Sequence, residues 1–245
     1  MLAYLFRRLS DVWLLLPLRL IRFARHIALP KTSWDVAYRS FSLGTAVLFW
    51  MLEAVLRLIE IMGLTEVYDL IGTLFKYQSR ALKPEELAIA KSIFGEAIPY
   101  NRIRIDEKAH LGPRQYHFCY VSFYTLNSWG SMPSPLLIHE LTHVWQYQNF
   151  GICYIPRALA AQNTPDAYNY GGEQAIEQAI ASGKGLDFFN LEQQADLFED
   201  YFRLKNGLAA RWNHQQAPRM ALYEVLLKDV IPVNTNFPGI GKKGA

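Results

Sequence analysis

The sequence predicts a mainly helical α+β protein, and three features carry that prediction. Apolar residues recur at helical spacing through most of the chain before Gly95. The pattern then switches to period-two alternation in Arg102-Ile103-Arg104-Ile105-Asp106. A further helical stretch follows Pro133 and Pro135 and carries two histidines and a glutamate on an apolar background.

With 245 residues, 51% of them hydrophobic, the chain can bury a large core. The expected organisation is a helical N-terminal extension over residues 1–83, a folded domain over 84–230, and an extended tail over 231–245. The formal charge of +3 is modest, and no nucleic-acid partner is expected. That charge is uneven: residues 1–40 hold seven Lys/Arg against Asp11 and Asp35, a local +5 that leaves −2 for the rest. Only Cys119 and Cys153 are present, so a disulfide framework or a thiolate zinc site is not expected, and a single bridge stays open.

Residues 1–29 place Leu2, Leu5, Phe6, Leu9, Trp13, Leu16 and Leu20 at helical spacing among Arg7, Arg8, Arg19, Arg22 and Arg25. No apolar run leads to a small-residue cleavage site, so no cleavable signal peptide is expected; the compartment stays open between bacterial cytoplasm and membrane surface. Two readings compete: an interfacial helix on anionic lipid, or a helix whose arginines cover acidic surface elsewhere. The second is preferred, because Pro17 interrupts a continuous membrane-facing stripe. Over Trp34–Met62, Glu53, Arg57 and Glu60 form a polar stripe, and Leu48, Leu52, Val55, Ile59 and Met62 an apolar one, expected to face a core. Those charges and the short uncharged run argue against a membrane span.

Another helix is expected over Glu66–Ser79. The next starts at Pro84 with Glu85 and Glu86 in its first turn, and stops at Gly95. Residues 102–106 and the Tyr-, Phe- and Val-rich stretch Tyr116–Leu126 read as strands of a small sheet.

The helix expected over Leu136–Asn149 contains His139, Glu140 and His143 in the order His-Glu-x-x-His. Residues four apart share a helix face, so two imidazoles can reach one zinc ion while Glu140 reaches a water on it. The chemistry expected is hydrolytic, with Glu140 as the catalytic base. Burying these groups without partners would cost several kcal/mol, which is why chance spacing is the weaker explanation.

Strands followed by this helix resemble the zincin metallopeptidases, and that resemblance implies a strand within Phe118–Leu126 that pairs with an extended peptide substrate; an ordinary covered strand is an equal alternative. The metzincin continuation fails, because Gln146 and Asn149 stand where Gly and His are required. The chain is more similar to gluzincins, whose E-x-x-x-D pattern recurs as Glu192 and Asp196. The resemblance implies Glu192 as third metal ligand and Asp196 as support behind a ligand histidine. Simple solvation of a helix face beside Glu199 and Asp200 is the alternative, and Glu173, Glu177 and His214 are other candidates for the third ligand. A closer resemblance, in His-Glu-Leu-Thr-His-Val-Trp-Gln, is to the bacterial zincin-like domains of the DUF4157 type, which are Vgr-related and associated with secretion systems.

Tyr168, Tyr170, Tyr201, Arg203 and His214 are candidates for an oxyanion donor, with a structural role the preferred alternative for each, and residues 161–172 could form a cleft lid. His26, His110 and His117 have no metal spacing. The leading expectation is a zinc peptidase acting on a peptide or protein. A noncatalytic protein of a secretion assembly or membrane surface, engaged through residues 1–62, is the alternative, and a zinc hydrolase of a non-peptide substrate is a third.

Overall fold

The computed structural model describes residues 2–29, 42–75, 79–110, 113–116, 118–215 and 217–231. Residues 232–245 of the expected tail and His117 lie outside the described residues, while Ile231, its first residue, is buried in the core. Helices α1 (Leu2–Leu14) and α2 (Leu16–Ala28) are divided where Pro17 falls in the first turn of α2. Next come α3 (Leu43–Ile61), α4 (Leu64–Phe75) and α5 (Pro84–Phe94). The Glu86 carboxylate accepts from the Lys83 backbone N–H at 2.8 Å and fixes the start of α5. The helix expected over Glu66–Ser79 is thus α4, which begins two residues earlier, and residues 76–78 lie outside the described set.

Three short strands follow: β1 (Arg104–Asp106), β2 (Tyr120–Ser122) and β3 (Thr125–Asn127), in the order β1-β3-β2, with a one-turn helix, α6 (Pro113–Tyr116), between β1 and β2. β1 runs parallel to β3, while β2 pairs antiparallel with it, Val121 opposite Leu126. The alternation in residues 102–106 does bury Ile103 and Ile105, although Tyr100–Arg102 is a 3-10 turn. The single strand expected over Tyr116–Leu126 is instead a hairpin. Phe123 turns the chain at φ 58°, and it and Tyr124 drive their rings onto Tyr147 with centroids 5.1 and 5.0 Å away. Core burial of two aromatics makes this turn without the usual Gly or Asn.

The long helix α7 (Ser134–Phe150) crosses beneath the sheet and buries Leu137, Ile138, Leu141 and Val144, roughly 1.5–3 kcal/mol for each such side chain. Its last turn runs through a 3-10 turn, Gly151–Cys153, into α8 (Tyr154–Gln162). Then come α9 (Gly172–Ala181), α10 (Leu191–Lys205) and α11 (Met220–Leu227). Helix α10 packs along α7 and starts with a reciprocal cap: Asn190 Oδ1 accepts from Gln193 N–H at 2.8 Å, and Gln193 Oε1 accepts from Asn190 N–H at 3.1 Å. Both cysteines are free thiols, so the bridge left open by the sequence is absent.

The polarity of the first four helices reverses the expectation for α3. Glu53, Arg57 and Glu60 face inward, and the supposed core stripe, including Leu48, Leu52, Val55 and Met62, faces outward. The reason is the number of inward partners. Glu53 takes a bidentate pair from Arg157 of α8 at 2.7 and 2.8 Å, and the Glu60 carboxylate accepts from Ile152 N–H at 3.3 Å. The arginines of α1 and α2 do cover acids, as preferred from the sequence, but those acids are buried. Arg8 lies between Asp11 (2.9 Å) and Asp69 (2.8 Å), Arg19 donates to Glu66 at 2.7 Å, and Asp11 reaches Arg102 at 2.5 Å. Charges paired in a dry interior are tolerable where single ones are not. Among the described residues, no helix is long and apolar enough to cross a membrane.

Candidate metal and active site

Helix α7 presents His139 and His143 on one face, and the first turn of α10 delivers Glu192 to the same point. Glu192 Oε2 lies 3.4 Å from His139 Nε2 and 3.5 Å from His143 Nε2. All three side chains are buried.

The protons of both rings are fixed from behind. His139 Nδ1 lies 2.7 Å from Asp196 Oδ1, one turn along α10 from Glu192, and Trp212 Nε1 donates to the other oxygen of Asp196. His143 Nδ1 lies 2.7 Å from Gln146 Oε1. The Gln146 amide is oriented in turn, since its Nε2 donates to Leu191 O at 2.8 Å and Gln194 Oε1 at 3.1 Å. Both Nδ1 atoms face acceptors and therefore carry hydrogen, which leaves both Nε2 lone pairs aimed at a carboxylate.

Glu192 Oε2 is buried without a hydrogen-bond partner, whereas its Oε1 accepts from Gln162 Nε2 at 2.8 Å. With both Nε2 atoms deprotonated, these three side chains converge as a group that could hold a cation. The donor set also fits zinc: a tetrahedral ion with bonds of about 2.0–2.2 Å holds its ligands roughly 3.3–3.6 Å apart. Without a metal, burial would lower both imidazoles, but the facing carboxylates outweigh it and hold His139 well above, and His143 above, the ordinary histidine range. Burial likewise opposes ionisation of Glu192, yet the two imidazoles keep its carboxyl well below the usual range.

Glu140 is buried beside the same point, and its Oε2 has no hydrogen-bond partner. Burial raises its pKa, with the two imidazoles opposing. These residues lie in a cleft of about 680 Å³ whose other walls are Phe118–Val121 of the β2 side, Tyr154–Gln162 of α8, Tyr168 and Arg211. In the described sheet β2 is an edge strand, paired only with β3.

Of the suggested oxyanion donors, Tyr168 alone reaches this cleft, its ring centroid 6.1 Å from that of His139. Burial pushes its phenol up to about 12, so it stays protonated at neutral pH. Tyr170 hydrogen-bonds Asp200 and Tyr223, Tyr201 is buried, Arg203 pairs with Glu199, and His214 is exposed away from the cleft lining. Glu173 and Glu177 pair with Arg219 and do not join the cluster. Asp196, Glu199 and Asp200 are buried with Glu192, so this helix face is not solvated. His26 stacks on Trp50 and His110 packs against Trp129. The loop expected as a lid is one wall of the cleft, tied down by Tyr170 and by Gln193 Nε2, which donates to the Asp166 and Asn169 carbonyls.

Sequence reasoning overlooked Gln146, Gln162 and Arg211. For Gln146 a signal existed, because it follows His143 by three residues and shares its helix face. Nothing local marks Gln162 or Arg211, which only the packing of distant elements brings to the site.

No protein-family model matches the chain, and no solved structure does. Over 139 residues, 52% of this chain, it is 30% identical to the type VI secretion system spike protein VgrG2b of Pseudomonas aeruginosa. The matched stretch is 13% of that protein, so the likeness is distant and concerns a small part of it.

Proposed function

We propose that this protein is a zinc-dependent peptidase associated with a bacterial secretion assembly, holding its metal through His139, His143 and Glu192. The observation that carries the reading is the convergence of the buried His139, His143 and Glu192 on one point, with Glu192 Oε2 3.4 and 3.5 Å from the two Nε2 atoms, beside the unpartnered Oε2 of Glu140. Zinc bound there would supply Lewis-acid polarisation of a carbonyl and an acidified water. Glu140 takes the proton of the attacking water and returns it to the leaving amine, a role suited to a carboxyl whose pKa burial raises. Asp196 and Gln146 keep the imidazoles in register. An extended peptide lies along the outer edge of β2, where the Val121 carbonyl already accepts from the Tyr154 hydroxyl at 2.5 Å and must exchange that bond for one to the substrate. Tyr168 or Arg211 donates to the developing oxyanion across the cleft.

A second reading, favoured by the likeness to a spike protein more than hydrolysis is, keeps the fold and the metal but assigns a structural or interaction role in the secretion assembly. Retention of Glu140 in the cleft speaks against it, because a scaffold needs the ligands and not the base. Hydrolysis of a non-peptide substrate is compatible with the same groups.

The test is digestion of an unbiased peptide library by zinc-loaded wild-type protein and by Glu140→Gln, with metal content measured in both. About one zinc per chain in each, with turnover at least 10²-fold lower in Glu140→Gln, is expected. Absence of zinc removes the metal reading. Zinc without turnover in the wild type favours the structural one.

A further inference from the structure

The first four helices are built inside out. Phe6, Trp13, Leu14, Leu43, Leu48 and Met62 are each more than two-thirds exposed, and most of the exposed large apolar side chains of the described residues belong to α1–α4. The carboxylates of these helices, Asp11, Glu53, Glu60, Glu66 and Asp69, are all buried. Their outer surface is therefore apolar with cations only, Arg7, Arg22 and Arg25, and carries no exposed acid among the described residues.

Beside α2 this surface opens into a recess of about 520 Å³ lined by Arg19, Arg22, Arg25, the carboxylate of Glu60 and Arg102, which is already paired with Asp11, with the exposed Leu18 and Ile21 at its lip. Arg19 is 2% exposed, and its Nη1 has no hydrogen-bond partner among the described residues. The exposed Arg25 and half-buried Arg22 outnumber Glu60 at the mouth, so the recess carries net positive charge and suits an anionic oxygen.

We propose that α1–α4 seat the protein on an anionic phospholipid surface, with the apolar face in the acyl boundary and a lipid phosphate in the arginine recess. Charge decides the occupant. A second copy of the chain would bring arginine onto arginine with no exposed acid to answer it, whereas an anionic leaflet offers negative charge at the edge of hydrocarbon. Pairing of the helix charges toward the interior, with apolar groups outward, is the polarity that lipid contact selects. No described helix is long and apolar enough to cross a membrane, so the contact is a seat on one leaflet. The inference is independent of the metal.

Sedimentation of the full chain with vesicles of phosphatidylcholine, or of equimolar phosphatidylcholine and phosphatidylglycerol, tests it. Binding to the anionic vesicles should be strong, weakened by salt and removed by carbonate washing. Arg25→Gln, at an exposed position, should weaken it about fivefold, and Trp13→Gln with Leu48→Gln more than tenfold. Far-UV circular dichroism of both variants should match the wild type. No binding, equal binding to neutral vesicles, an unchanged affinity of either variant, carbonate-resistant insertion, or sedimentation without vesicles through self-association would each overturn the proposal.

Discussion

Replacing Gln146 separates ring orientation from ligand chemistry, because this side chain touches His143 and never the metal position. It is fully buried and makes three hydrogen bonds: one as acceptor from His143 Nδ1–H, and two as donor to Leu191 O and Gln194 Oε1. Gln146→Ala frees the His143 ring to rotate, and loss of such support typically weakens a metal about 10–100-fold, or about 1.4–2.7 kcal/mol. It also removes the donor to Gln194 Oε1, while the Leu191 carbonyl keeps its bond in the α10 ladder. At about 0.5–1.5 kcal/mol for each lost bond, the metal-free protein should lose roughly 2–4 kcal/mol of stability. Gln146→Glu retains the acceptor for His143 but cannot donate to Leu191 O, so it should keep most of the zinc affinity while losing stability. Zinc affinity would be read by competition with a chromogenic chelator, and stability by thermal denaturation of the apo-protein. Wild-type zinc affinity in a folded Gln146→Ala would refute the argument that orientation of His143 by Gln146 matters.

Glu192→Ala should lose most of the zinc, since it leaves two protein ligands, while Asp196→Ala should retain zinc with about 10–100-fold weaker affinity; equal losses by elemental analysis would merge the two roles. Gly151→Ala should destabilise by at least about 2 kcal/mol, because residue 151 sits at φ 68° and its added Cβ would lie 2.5 Å from Glu60 Oε2. A drop of roughly 4–8 °C in Tm is then expected, and an unchanged Tm would show that Glu60 is not held there. Burial pushes the thiols of Cys119 and Cys153 up to about 12. A raised thiol pKa removes thiolate at lower pH, so alkylation at pH 8 should be roughly a thousandfold slower in the native protein than after unfolding, and should accelerate only as pH climbs toward 12; fast native labelling of either the half-buried Cys119 or the buried Cys153 would contradict the raised pKa.

What the sequence by itself determined was local. The two imidazoles and Glu140 share a face of α7 because residues three and four apart on a helix must do so, and the Pro and Gly positions around α5 and α7 bounded those helices through backbone constraints alone. The pairing of Glu192 with Asp196 was legible only through the resemblance to gluzincins, whose E-x-x-x-D spacing recurs here. Which way a helix faces was not. The apolar and polar stripes of α3 were both visible, but period tells that a helix has two sides and not which side meets the body. Arg157 and the backbone of Ile152, a hundred residues away, decided it by giving Glu53 and Glu60 partners that water would otherwise have supplied. Gln162, Arg211 and the turn at Phe123 belong to the same class. Their roles come from contacts between segments distant in sequence, and such contacts exist only once hydrophobic burial has brought the chain together.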